Sequence, residues 1–189
     1  MSIKIRPIKE ADAETCGKIG HKAHQAVSSA HGYPSEQPSV EYAIGLIRTL
    51  LNNSNSWGVL AEKNTHIVGS IFLNRFPPSP IAVIGPLTVN PAVEGSGVGG
   101  ALMDAAIAFA HNQNYNLIRL VQSPSHIRSF VLYTKIGFAL REPLFLVSGN
   151  VLYEDSNSAD VELRRVETDK DVLNCNQLCL RAHGFTREG

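Results

Sequence analysis

The chain has 189 residues, 43% hydrophobic and 18% charged, enough for one well-filled core with a fragment to spare. Its 17 basic and 17 acidic residues cancel to a formal net charge of zero, so the basic excess of a general nucleic-acid surface is missing. No run approaches about 20 apolar residues, so no membrane-spanning helix is expected, and Glu10 and Glu14 stand where a secretory leader would carry its apolar core.

Ile3, Ile5 and Ile8 alternate with Lys4 and Arg6 and predict a short opening strand. From Ala11 to about Ser29 the spacing of Cys16, Ile19, Ala23 and Ala26 is helical, with Asp12 and Glu14 in the first turn, where acids suit the dipole. Gly32-Tyr33-Pro34 breaks that helix. Tyr42, Ile44, Ile47 and Leu51 predict a second helix over Val40 to Leu51. Trp57 to Glu62, the turn Lys63-Asn64-Thr65, and His66 to Phe76 read as a hairpin, with Trp57 as its core anchor. Pro77, Pro78 and Pro80 make a loop. Ile81 to Val89 is a buried strand disturbed at Gly85-Pro86, since proline donates no N–H. An Ala-rich helix to about Asn112, a strand over Asn116 to Gln122, a helix over Ser125 to Ile136 and a strand over Phe138 to Val147 follow. Gly137 suits the left-handed cap of that last helix. The order β-α-α-β-β-β-α-β-α-β predicts an α/β (α+β) domain: a mixed central sheet flanked by helices.

Residues 149–160 are polar and turn-rich and read as a linker. The tail, 161–189, then repeats the beginning. Ile5-Arg6 matches Leu163-Arg164, and Ile8 matches Val166. After one inserted residue Cys16 matches Cys175, Ile19 matches Leu178, and Lys22-Ala23-His24 matches Arg181-Ala182-His183. A strand and one helix cannot bury a core alone, so the tail is expected to pack on the first unit or on another subunit, which makes a homodimer one expectation.

Chemistry concentrates between Leu87 and Met103. A strand ends near Asn90, Pro91 turns the chain, and a helix opens inside Gly95, Gly97, Gly99 and Gly100. The first N–H groups of a helix lack partners and, with the dipole, favour an anion; glycine lets a phosphate approach the backbone. Four glycines opening a strong helix argue against a merely flexible loop, since each costs about 1 kcal/mol in a helix. The run formally fits Gly-x-Gly-x-x-Gly, but Pro91 and the residues after it separate strand from glycine, and no acid falls between Asp104 and Glu142 to hold a ribose. A Walker loop's Gly-Lys-Ser/Thr is absent. The same acid-free stretch carries Arg119, Arg128, Lys135 and Arg141, a local cationic patch suited to a small polyphosphate ligand.

The element order, Val89-Asn90-Pro91 followed by Gly95-x-Gly97-x-Gly99, and Leu132-Tyr133-x-Lys135-x-Gly137-Phe138 together resemble the GNAT superfamily of N-acetyltransferases over roughly residues 3 to 148, within a domain of residues 1–148. The tail then resembles the start of a second, cut-short unit. The resemblance implies acetyl-CoA as cosubstrate, its pyrophosphate on Gly95, Ser96, Gly97, Val98, Gly99 and Gly100, with His126 and Arg128 beside it. It implies pantetheine along Leu87, Thr88 and Val89, whose backbone N–H polarises the thioester, and a bulge that splays this strand, for which Gly85-Pro86 is a local cause. It implies direct attack by an amine on a small molecule or a protein, with Tyr133 as the acid that protonates the leaving sulfur. Glu94 stands where the family has Gln or Arg, and His126 where it often has Asn. A carboxylate beside a pyrophosphate repels it unless it turns away or pairs with Arg128 or Lys135.

No strand glutamate marks a base; His24, Glu41, His66 and His126 are candidates beside water. His21 and His24 share a helix face, but zinc needs three or four ligands, and no metal site is expected. Cys16, Cys175 and Cys179 form no Cys-x-x-Cys, which predicts free, packed thiols in a reducing, cytoplasmic setting. The competing expectation is a non-catalytic CoA-binding or structural module, suggested by Glu94 and the missing strand glutamate.

Overall fold

The computed structural model describes residues 2–76, 79–144, 149–150 and 164–183. Five strands form one mixed sheet in sequence order: β1 (Lys4–Pro7), β2 (Ser56–Lys63), β3 (His66–Arg75), β4 (Ile81–Val89) and β5 (Leu117–Leu120). The first four run antiparallel, while β4 and β5 are parallel. A parallel pair needs a crossover, and α3 (Val98–Asn112) supplies it. The other helices are α1 (Ala13–His31), α2 (Val40–Asn52), α4 (Ile127–Ile136) and α5 (Asp169–His183). The expected mixed sheet with flanking helices is the one observed, and none of the described helices is long and apolar enough to cross a membrane.

Alternation along the strands divides the core between two faces. Val59, Ala61, Ile71, Leu73, Ala82 and Ile84 meet Val98, Leu102, Met103 and Ala106 of α3. Leu60 and Phe72 point the other way, to Ala13, Cys16 and Ile47 of α1 and α2. Trp57 anchors the hairpin by stacking on Phe109 of α3, with ring centroids 4.2 Å apart. Gly17 lets α1 meet α2 closely: a Cβ there would stand 2.7 Å from the Ile44 Cα. Arg6 ties β1 to both neighbours, donating to Asp12 and to Glu62, each at 2.7 Å.

Two expected strands do not appear among the described residues. Residues 138–144 are irregular. Gly137, at φ +108°, caps α4, Pro143 has no N–H for a ladder, and Leu140 and Leu144 are left exposed. Residues 145–148 of that expectation lie outside the described residues, as do 151–163 and 184–189 of the linker and tail. Before α5, residues 164–167 form no strand either. The helix itself is present, and its start repeats that of α1. Asp12 accepts from the Lys9 N–H and from Arg6; Asp171, in the matching position, accepts from the Thr168 N–H and from Arg164. The outcome differs on the packing face: Cys16 and Ile19 are buried, whereas Cys175 and Leu178 are exposed.

Candidate active site

The sheet opens at the end of β4. Pairing with β5 runs only from Ile81–Leu117 to Ile84–Leu120. On the other side, Ile71 faces Leu87 while Leu73 faces Ile84, so β4 carries one extra residue at Gly85-Pro86. A bulge bends its strand and breaks the pairing beyond it, which is the cause expected from the proline. The Gly85-Pro86 peptide is cis.

The bulge also decides which amides face the gap. The Asn90 N–H bonds to the Val68 carbonyl at 2.8 Å. Antiparallel ladders alternate, so Thr88 and Asn90 direct their backbone groups to β3, and Leu87 and Val89 direct theirs to the gap. The expected trio is therefore split. Leu87 and Val89 offer backbone donors, while Thr88 is buried with its hydroxyl 3.3 Å from that of Ser70, on the α1 face.

Val89 leads into the glycine loop. The Asn90 side chain accepts from the Ala92 N–H and starts a 3-10 turn at Pro91–Val93. The Ser96 hydroxyl donates to the Val93 carbonyl at 2.7 Å, fixing the loop beneath the helix. Gly97 is the N-cap of α3 at φ +86°, a conformation costly for any residue with a Cβ. The first intrahelical donor is Ala101, to Gly97 O at 3.1 Å. The N–H groups of Val98, Gly99 and Gly100 precede it and have no partner in the helix. The Val98 side chain is buried in the core, so only its amide can serve a ligand. A Cβ at Gly100 would meet no atom within 4 Å, so the helix start faces open space there. Such an N-terminus suits an anion.

Helix α4 forms the opposite wall. Leu132 would lie 3.2 Å from a Cβ on Gly99, which fixes α4 against the start of α3. Arg128 reaches across to Glu94 at 2.7 Å, so the unusual carboxylate of the loop has found a cation. His126, at the N-cap of α4, shares a 2.7 Å hydrogen bond between its Nδ1 and the Ser129 hydroxyl. Burial holds its imidazole below the ordinary value, against the pull of Glu94. Tyr133 is half-buried, with its ring 6.1 Å from that of Phe138. Burial raises the phenol, and the nearby Ser129 hydroxyl works against that. At neutral pH the phenol keeps its proton and can act as an acid.

The α1 face supplies the remaining polar groups. Gln37 is 4% exposed, and its Oε1 has no partner among the described residues. The same oxygen would lie 3.2 Å from a Cβ on Gly20, with the Thr88 methyl 3.7 Å from that point, so the Gln37 amide sits beside Thr88. His24 Nδ1 is 3.5 Å from Glu36, and burial keeps its imidazole below the ordinary value. Of the four candidate bases, His24 and His126 are half-buried and held neutral. Glu41 is exposed in the first turn of α2, and exposed His66 is bound to the Asn64 carbonyl in the hairpin turn at 2.7 Å. Cys16 is sealed in the core, its thiol pushed up to about 11 by burial, so it is no nucleophile. Sequence reasoning missed Gln37, Gln122 and Ser129. Gln122 also buries an Oε1 with no partner among the described residues, just past β5. For Ser129 a signal was available: it stands three residues after His126 and four before Tyr133 on one helix.

The family model of the acetyltransferase (GNAT) family matches residues 21–138. No curated protein matches the chain. Solved structures share the fold. A transcriptional regulator from Bacillus halodurans C-125 superimposes at TM-score 0.62 and 23% identity, over 78% of this chain and 100% of its own. A PaiA N-acetyltransferase from Thermoplasma acidophilum in complex with coenzyme A gives 0.63 and 22%, over 76% and 93%. An aminoglycoside antibiotic 6'-N-acetyltransferase from Acinetobacter haemolyticus gives 0.62 and 18%, over 78% and 99%.

Proposed function

This chain belongs to the GNAT acetyltransferase family, and from that premise we propose that it transfers the acetyl group of acetyl-CoA to a primary amine by direct attack. The observation that carries this reading is the gap beyond Ile84, where the outward amides of Leu87 and Val89 run straight into the orphan amides of Val98, Gly99 and Gly100. These two sets of donors, joined where the Val89 side chain lies 3.9 Å from a Cβ built on Gly99, match a ligand with a diphosphate at one end and a thioester at the other. The coenzyme A in the Thermoplasma relative supports the same ligand here.

In this reading the pyrophosphate lies on Gly95 to Gly100, with the Ser96 hydroxyl supporting the loop from below. The phosphates take Arg128 from Glu94, and His126 stands at the same mouth. The Val89 N–H polarises the thioester carbonyl. An amine entering from the α1 face, past His24, Gln37 and Thr88, attacks the carbonyl carbon, and neutral His24 takes its proton. The C–S bond breaks, and Tyr133 gives its proton to the departing sulfur. The aminoglycoside N-acetyltransferase among the structural neighbours favours a small-molecule amine as the first acceptor to try, ahead of a protein amine. Residues 1–148 form the acetyltransferase unit, 149–160 the linker, and 161–189 the start of a second unit. The matched Asp12 and Asp171 caps support that division.

A second reading, a CoA-binding or structural module without turnover, is favoured by the Glu94–Arg128 pair, which occupies a cation that phosphate would need. Thermal shift with acetyl-CoA followed by thiol release over an amine panel separates the two. A raised melting temperature with amine-dependent thiol release is expected. A shift without release supports the CoA-binding module, and no shift at millimolar coenzyme refutes the transferase and leaves a structural scaffold.

A further inference from the structure

Gln37 is 4% exposed, and its side-chain oxygen Oε1 has no partner among the described residues. Its main chain holds the segment between α1 and α2. The Gln37 carbonyl accepts from His21 Nδ1 at 3.0 Å and from the Ser35 hydroxyl at 3.1 Å, and the Gln37 N–H donates back to that hydroxyl at 3.2 Å. The side-chain amide is not needed for those bonds. It lies in the space left by Gly20, where a Cβ would stand 3.2 Å from Oε1 and 3.7 Å from the Thr88 methyl. The Thr88 hydroxyl does not serve the amide, since it is 3.3 Å from that of Ser70. A buried acceptor left unpaired costs stability, and proteins keep such violations of local rules at functional sites.

The surroundings point this acceptor at the reaction. Thr88 precedes Val89, whose N–H faces the gap, and the Thr88 side chain marks the α1 face of the strand there. Gly20 and His24 are four residues apart on α1 and share a face, so the half-buried His24 imidazole stands one turn from the amide. Tyr133 comes from the opposite side of the sheet, packed with the core under α3.

We propose that Gln37 Oε1 binds the attacking amine itself, accepting one of its N–H groups and selecting a neutral primary amine. The inference deepens the transferase reading and rests on it. An alkyl amine is mostly ammonium in neutral water, and only its neutral form has a lone pair to attack. An amide oxygen accepts a hydrogen bond without carrying charge. It therefore holds the neutral amine without the pull toward ammonium that a carboxylate would exert, and burial acts in the same direction. A primary amine then has one N–H on Gln37, one left for His24, and a free lone pair for the thioester carbon. The step balances: the N–C bond forms as the C–S bond breaks, His24 takes the second amine proton, and the sulfur takes the proton of Tyr133. A secondary amine has a single N–H and must leave either Gln37 or His24 unserved.

The competing explanation is plain packing of the glutamine against α1. Gln37→Met and Gln37→Leu in the full chain separate the two, since both replace the unpaired acceptor with an apolar group close in size. A packing glutamine would lose stability on such a change, whereas removal of an unpaired acceptor is expected to leave the melting temperature equal or higher. Thiol release is then measured with the primary amine of highest kcat/KM in the panel and with its N-methyl derivative. For the primary amine, kcat/KM is expected to fall about tenfold, the effect of losing one buried hydrogen bond, with KM for acetyl-CoA unchanged within about twofold. The N-methyl derivative loses less, so the wild-type preference for the primary amine narrows in both variants. Wild-type kcat/KM for the primary amine, an unchanged preference, or a lower melting temperature with equal losses for amine and acetyl-CoA would overturn this role of Gln37 while leaving the transferase intact. No amine-dependent thiol release from the wild-type chain would instead remove the transferase, and this inference with it.

Discussion

Glu94→Gln tests the most unusual feature of the loop. The carboxylate stands 2.7 Å from Arg128 Nη1, with Glu94 28% and Arg128 75% exposed. A coenzyme phosphate that takes over the guanidinium comes within about 6 Å of the carboxylate it displaces. Coulomb's law puts the repulsion between two unit charges at that distance at about 0.7 kcal/mol in bulk water and about 2.8 kcal/mol at an effective dielectric of about 20. The exposure of Arg128 favours the lower part of that range. About 1 kcal/mol corresponds to roughly fivefold tighter binding of acetyl-CoA to the glutamine variant. The glutamine keeps the size of the side chain, and loss of an exposed pair costs at most about 1 kcal/mol of stability. Isothermal titration with acetyl-CoA, repeated at low and high salt, reads both quantities. The advantage of the variant is expected to shrink as salt rises, because screening acts on exposed charges. Unchanged or weaker binding at low salt would show that Glu94 is no competitor for the phosphates, and that they do not reach Arg128.

Gly97→Glu should weaken acetyl-CoA binding at least about a hundredfold by placing a charged side chain against the helix start, while the circular dichroism spectrum stays native; retained affinity would take the loop out of the site. Gly17→Ala forces a methyl group to 2.7 Å from the Ile44 Cα and should lower stability by about 1–3 kcal/mol, read as a fall in melting temperature, since α1 and α2 must part to admit it. Asp12→Asn should cost about 1–2 kcal/mol at neutral pH by weakening the charged hydrogen bonds to Arg6 and Lys9. Arg6 holds the Asp12 carboxyl below its usual range, so this stabilisation is complete above the unfolded value near pH 4 and is lost as pH falls through the folded one. Melting curves of the two proteins should converge below about pH 4; a constant gap would assign the loss to something other than this charge.

Much of the fold was legible because local signals agreed with one another. The Lys63-Asn64-Thr65 turn set the hairpin, the glycine run marked the start of α3, and Gly137 ended α4 as its missing Cβ suggested. Pro86 even pointed to the place where β4 bulges. The parts of the strands expected after α4 and before α5 that lie among the described residues are irregular for a shared reason. Alternating apolar residues describe a strand only when a neighbouring edge accepts it, and a sequence pattern holds no information about that neighbour. In the candidate site, residue types and spacing pointed to the glycine loop and Tyr133, which depend on backbone chemistry and one helix. They did not show which way amides turn after a bulge, so Thr88 could not be separated from Leu87 and Val89. Contacts between distant segments were equally out of reach: Gln37 beside Thr88, and the half-buried, neutral His24 on α1, follow from how α1 crosses the sheet.

A crystal structure of the full chain with coenzyme A tests the central claim most directly. The expected complex places diphosphate oxygens within hydrogen-bonding distance of the Val98, Gly99 and Gly100 amides, extends the pantetheine arm along the open edge of β4, and brings the sulfur to the Tyr133 hydroxyl. A coenzyme seated elsewhere, or a Glu94–Arg128 pair that stays closed over an empty gap at saturating ligand, would contradict it.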